Sequence, residues 1–161
     1  MKVLGIDPGI ERLGWAMVEG DRRKFNYISS GVKKTLKTDF EEERLVQIHD
    51  FLEELMKKER PECVALEKVF FSKNVKTALV IGEVRGIILM LAAKHKAKVI
   101  QLGPGEIKLA IAGYGKADKE SVLAMLKLTL ALPDKKILDD ESDAIAIACS
   151  GVIHSSSLQA R

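Results

Sequence analysis

Acidic residues stand at two strand ends and near one helix start, where they could act together. Asp7 ends the apolar segment KVLGID before a Pro-Gly turn, and Glu67 ends the apolar segment CVALE. Asp140 and Asp143, three residues apart in DDESDAIAIA, share one face if that segment is helical. Asp139 and Asp143 form a competing pair at a spacing of four, so spacing alone does not decide between Asp139 and Asp140.

Clustered carboxylates favour a hard divalent cation. Neighbouring carboxylates repel each other, and without a cation their pKa values rise until some of them take up protons. An all-oxygen ligand set, with neither Cys nor His, suits Mg²⁺ or Mn²⁺ rather than Zn²⁺. Two such ions close together support the in-line attack of water on a phosphodiester. Each acid taken singly also has a structural interpretation, because acids commonly cap turns and helix starts.

The order of predicted elements brings these acids to one edge of a sheet. Apolar segments separated by turns predict three strands, over 2–7, 13–19 and 24–32, in an antiparallel meander. The later pattern predicts a helix between Thr38 and Pro61, a strand at 63–67, a helix over about 75–94, a strand at 97–102, and helices near 106–112, 118–131 and from the acids of LDDESD onward.

A meander followed by alternating helices and strands predicts an α/β fold, with a mixed five-stranded sheet and helices on both faces. Functional groups gather at the carboxyl ends of parallel strands, so Asp7 and Glu67 meet if their strands are neighbours. The length of 161 residues fits one domain, which we assign to residues 1–154, followed by a short polar tail over 155–161.

The composition is typical of a globular protein, with 47% hydrophobic and 30% charged residues. No apolar run reaches the roughly 20 residues of a membrane span. The first residues run directly into a strand, which leaves no room for a signal peptide and predicts a cytoplasmic protein. Cys63 and Cys149 stand alone in apolar segments, which indicates core residues rather than a disulfide or metal ligands.

Charge is segregated along the chain, although the net charge is only +3. Residues 94–136 hold nine Lys and four acids, whereas residues 38–62 hold nine acids and four basic residues. This pattern fits either a solvated surface or a basic face that binds nucleic acid. After Glu67, two adjacent phenylalanines lie among lysines, and we expect Phe70 to be exposed for base stacking. The alternative is that one phenylalanine is buried and the other covers a helix end.

Four segments, in order and over nearly the whole chain, resemble the RuvC family of bacterial Holliday junction resolvases: GIDPGIERLGW, LEKVFFSKN with ALVIGEVRG, GPGEIKLAIAGYGKADK and DDESDAIAIA. The resemblance implies a ribonuclease H-like fold, a homodimer and Mg²⁺-dependent endonuclease action on four-way DNA junctions. It implies cuts in two symmetry-related strands that leave 5′-phosphates, and a role in recombination and repair beside branch-migration proteins of the RuvA and RuvB type.

The resemblance also assigns residues. The acidic tetrad of the family falls on Asp7, Glu67, Asp140 and Asp143, which selects Asp140 over Asp139. These acids are expected to hold two Mg²⁺ ions per active site, for which Mn²⁺ can substitute. The aromatic residue that stacks on junction bases matches Phe70. The lysines that contact phosphates match Lys108 and Lys119, and further candidates for DNA binding in the same motifs are Lys73, Lys76, Arg85 and Lys116.

Two other functions fit parts of the pattern. A phosphotransferase of the actin and sugar-kinase type also has an Asp and glycines at its first strand-turn, but it needs a second similar lobe, for which this length leaves little space. A catalytically inactive module would bind junction or duplex DNA through the basic face. The helix over 75–93 is apolar on most of its circumference, so either it is deeply buried or its spare face meets a second subunit. Gly82 and Gly86 would allow close approach of a second helix, either from another subunit or within the chain.

Overall fold

The computed structural model describes residues 1–21, 23–68 and 75–158. Its sheet has five strands in the order β3-β2-β1-β4-β5, and β1 pairs antiparallel with β2 but parallel with β4. The predicted mixed sheet, with its meander first, is therefore confirmed. The elements are β1 (Lys2–Asp7), β2 (Arg12–Gly20), β3 (Phe25–Lys34), α1 (Glu41–Glu59), β4 (Cys63–Glu67), α2 (Val75–Lys94), β5 (Lys98–Leu102), α3 (Pro104–Ala112), α4 (Lys119–Thr129) and α5 (Asp139–Leu158).

Two hydrophobic cores cover the two faces of the sheet. Leu4 and Leu66 belong to the core formed with α1 and α2, whereas Val3 and Ala65 belong to the core formed with α3, α4 and α5. Successive strand side chains point to opposite faces, which explains why neighbours in sequence enter different cores. Both cysteines are buried, and burial raises the pKa of the Cys149 thiol to about 12, so their interpretation as core residues is confirmed.

Two helix boundaries differ from the sequence prediction. Pro104, expected in a break before α3, is the first residue of that helix, because proline has the φ angle of a first turn and lacks an N–H group that would need a partner there. Helix α5 continues beyond His154 to Leu158, and Ser155 is buried. Part of the segment predicted as a polar tail is therefore helical.

Glycines allow α5 to lie directly against the strands. A side chain at Gly5 of β1 would collide with Ala148, and a side chain at Gly14 of β2 would collide with the backbone of Asp140. Because neither position has a Cβ, the first turn of α5 approaches the ends of β1 and β2. Within the described residues, no helix is both long and apolar enough to cross a membrane.

Candidate active site

The register of the sheet places the first three carboxylates at one edge. Ile6 of β1 pairs with Leu66 of β4 in parallel, so Asp7 and Glu67, which follow them, end neighbouring strands. Asp7 also pairs with Gly14 of β2, and the backbone of Asp140 lies against that glycine. The predicted meeting of the two strand-end acids is thus found in the structure, with the start of α5 beside them.

Electrostatic interactions show how near the acids are to each other. Burial, as the largest cause, and the negative charges of Asp143, Asp140 and Glu67 together raise the pKa of Asp7 to about 7, while Lys119 opposes the shift. The pKa of Glu67 is also raised, first by burial and then by Asp143. In the absence of a cation, the cluster therefore resists its own full ionisation.

Two of the acids face basic side chains. Asp140 contacts the guanidinium of Arg12, and Asp143 accepts a hydrogen bond from Lys119 Nζ at 2.9 Å. In this arrangement, no three His, Cys, Asp or Glu side chains in the described ranges are grouped so that they could hold a metal ion. Asp139 is exposed, whereas Asp140 is among the charges that act on Asp7.

The donor set fits a hard divalent cation. All four candidates are carboxylates, and the buried Oδ2 of Asp140 has no hydrogen bond besides its ion pair with Arg12. A divalent cation would replace Arg12 at that oxygen and would offset the repulsion that contributes to the raised pKa of Asp7. A bound cation would compete with Arg12 and Lys119, which contact one oxygen of Asp140 and one of Asp143, respectively.

A cleft of about 290 Å³ opens beside the acids. Its polar wall combines acids with lysines, which suits a phosphodiester together with its counter-cations. The wall contains Glu67, Asp143, Lys108 and Lys119, and the apolar remainder is Pro104, Ile107, Val122, Ala146 and Ile147.

The other residues predicted to contact DNA are placed differently. Lys116 is exposed between α3 and α4 and is not part of the cleft wall. Arg85 points back into the fold, where Nη1 donates to the Glu67 carbonyl at 2.7 Å and Nη2 donates to Gln101 Oε1 at 2.8 Å. Phe70, Lys73 and the side chain of Lys76 lie outside the described residues.

Sequence reasoning did not single out Arg12 or Glu141. The Glu141 carboxylate is buried and accepts hydrogen bonds from Ser30 Oγ at 2.6 Å and Lys135 Nζ at 2.8 Å, which ties the first turn of α5 to β3. A signal for Arg12 exists in the sequence, because it is two residues from Gly14 and therefore on the same strand face. The position of Arg12 indicates a contact with α5 only when it is known that α5 packs against β2.

Comparison with known proteins identifies the family. The protein-family model "Crossover junction endodeoxyribonuclease RuvC" matches residues 3–151. The RuvC proteins of Thermomicrobium roseum and Caldanaerobacter subterraneus subsp. tengcongensis are 42% and 43% identical over 148 residues, which is 92% of this chain and 90% of each relative.

Solved structures agree. Thermus thermophilus RuvC in complex with a Holliday junction substrate has a TM-score of 0.92 and 34% identity, covering 98% of this chain and 96% of that one. The yeast mitochondrial Holliday junction resolvase Ydc2 has a TM-score of 0.70 at 14% identity, covering 96% of this chain and 78% of that one, which is a likeness of fold alone. The chain belongs to the RuvC family of crossover junction endodeoxyribonucleases.

Proposed function

We propose that the chain resolves four-way DNA junctions by Mg²⁺-dependent hydrolysis of phosphodiesters in two symmetry-related strands, leaving 5′-phosphates. The observation that carries the proposal is the meeting of the Asp7, Glu67, Asp140 and Asp143 charges beside a cleft that contains lysines. The match to a RuvC structure with a Holliday junction substrate supports the choice of DNA. Recombination and repair, with branch-migration partners of the RuvA and RuvB type, are the corresponding cellular setting.

Asp7, Glu67, Asp140 and Asp143 would hold two Mg²⁺ ions, or Mn²⁺ in their place. When bound, the metal supplies Lewis-acid activation of the phosphoryl group and of the attacking water. Next to the four acids, Arg85 holds the end of β4 in place by donating a hydrogen bond to the Glu67 carbonyl. Lys108 and Lys119, on the cleft wall, would hold the phosphates of the cut strand.

The test is a cleavage assay on a synthetic four-way junction, with each strand labelled in turn, in Mg²⁺, in Mn²⁺ and in EDTA. We expect paired nicks that ligase can reseal, and no cutting of a linear duplex with the same sequence. Junction binding without cleavage at any concentration of either metal would instead support the inactive binding module. ATP turnover without DNA would support the phosphotransferase.

Lys108→Ala should weaken junction binding in a salt-dependent way. A lysine that neutralises one phosphate releases about one counterion, so its loss reduces the slope of log affinity against log salt by about one. Fluorescence anisotropy over a salt series measures this slope. Lys127→Ala is the matched control, since Lys127 is an exposed lysine in the last turn of α4 and is not part of the cleft wall. Equal slopes for Lys108→Ala and wild type would remove Lys108 from the contacts.

We also propose a homodimer, in which two copies of the site meet a twofold junction. Large apolar side chains of α2 are exposed at helical spacing, with Leu79 64% and Met90 51% exposed. Gly82 and Gly86 lie between them, and a Cβ at either glycine would contact nothing within 4 Å. This exposed stripe on a 20-residue helix supports a second subunit as its partner. Sedimentation equilibrium at micromolar concentration should give the dimer mass; a monomer would contradict the assignment.

A further inference from the structure

We propose that Arg12 forms an ion pair with Asp140 in the metal-free protein and binds a DNA phosphate instead when a metal ion binds to Asp140. Arg12 would thereby couple metal binding to DNA binding. The inference rests on the proposed metal site. In this proposal, Arg12 competes with the metal for the ligand Asp140 and then helps to hold the DNA substrate.

The fold leaves Arg12 facing Asp140. Arg12 and Gly14 lie on the same face of β2, because they are two residues apart on a strand. Gly14 lies directly against the backbone of Asp140, so the Arg12 side chain reaches the first turn of α5 and contacts the Asp140 carboxylate. Glu11, the neighbouring acid in sequence, pairs instead with Lys37 at 3.2 Å.

The contact between Arg12 and Asp140 is one that a metal can displace. The Arg12 side chain is 43% exposed, so solvent screens the pair. Asp140 Oδ2, the oxygen that the Arg12 guanidinium contacts, is buried and has no hydrogen bond besides that ion pair. The guanidinium also lies at a helix N-terminus, where the helix dipole disfavours a positive charge. A divalent cation attracts the carboxylate more strongly, but it must first displace Arg12, which raises the metal concentration needed.

A displaced Arg12 needs a new anionic partner. A guanidinium binds phosphate through two parallel hydrogen bonds, and a DNA strand at the acidic edge presents phosphates there. DNA would therefore stabilise the state in which Asp140 is free for metal. Metal would in turn stabilise the state in which Arg12 is free for DNA, since coupling between two ligands is reciprocal.

The test measures Mn²⁺ affinity by electron paramagnetic resonance of free Mn²⁺, with the full chain alone and with a four-way junction. Phosphorothioate linkages around the crossover keep the charge of the DNA and slow its cleavage. The variant is Arg12→Gln. Lys37→Gln is the matched control, because it removes one positive charge from a lysine that contacts Glu11 rather than the acidic tetrad.

Without DNA, Arg12→Gln should bind Mn²⁺ about fivefold or more tightly than wild type, and Lys37→Gln should match wild type. The junction should tighten Mn²⁺ binding by a smaller factor in Arg12→Gln than in wild type. Unchanged or weaker Mn²⁺ binding by Arg12→Gln, or equal coupling in both proteins, would overturn the proposal. Failure of the metal site itself would look different: wild type and Asp7→Asn would then bind Mn²⁺ equally, or neither protein would bind it.

Discussion

Asp7→Asn is expected to lower the rate of Mg²⁺-dependent junction cleavage by roughly a thousandfold or more, while the variant still binds the junction. Asp7 lies at the centre of the cluster, because the charges of the other three acids all act on it. An amide in its place is neutral and binds a divalent cation weakly, so the several kcal/mol that metal catalysis supplies are lost. Single-turnover cleavage and anisotropy measure the two effects. Equal loss of binding and cleavage would contradict the assigned role.

The same substitution should stabilise the metal-free protein, which gives a readout independent of DNA. The pKa of Asp7 rises from 3.8 to about 7 on folding, so ionised Asp7 disfavours the folded state. In EDTA, the free energy of unfolding of wild type relative to Asp7→Asn should therefore fall as the pH rises from about 4 to 7, by an amount on the order of 4 kcal/mol, and level off above pH 7. Asp7→Asn lacks this cost, so its Tm should exceed the wild-type Tm at pH 8. Equal Tm values there would contradict the buried position of Asp7.

The position of the two strand-end acids could be predicted from local sequence patterns, whereas the choice between Asp139 and Asp140 on α5 could not. Asp7 and Glu67 end short apolar strands, so local patterns predict that they meet if those strands are neighbours, and the parallel pairing of β1 with β4 fulfils that condition. The choice of Asp140 over Asp139 did not follow from spacing, since both are three or four residues from Asp143. It depends on how α5 is rotated against β2, which the contact at Gly14 determines.

Arg85 and Arg12 illustrate the remaining limit. Arg85 was a candidate for DNA contact because it lies in a segment that resembles the RuvC family, and in the structure it donates to the Glu67 carbonyl and to Gln101 of the adjacent strands. Arg12 received no role, although it contacts Asp140. The partners of both arginines are far from them in the sequence. The direction of a long side chain depends on which element packs over it, and a local pattern of residue types does not contain that information.

Gly14→Ala should reduce cleavage by on the order of a hundredfold while junction binding is retained, because a displacement of about 1 Å at a reacting group has that effect. A Cβ at position 14 would overlap the carbonyl group of Asp140. Backbone atoms of a helix cannot rotate away as a side chain can, so the start of α5 must move as a unit. Asp140 and Asp143 move with it, whereas Lys108 on α3 stays in place.

Gly31→Ala separates this effect from the general cost of changing a strand glycine. Gly31 lies in β3 opposite Trp15, and the nearest atoms to a Cβ there would be those of the indole edge of Trp15, at 3.2 Å. A side chain can yield by a few tenths of an ångström, so Gly31→Ala should retain cleavage within a few-fold of wild type. Overpacking at Gly14 should also lower stability by about 1–3 kcal/mol, which urea unfolding measures. If Gly14→Ala cleaves junctions as fast as Gly31→Ala, the close contact between β2 and α5 does not position the acids of α5.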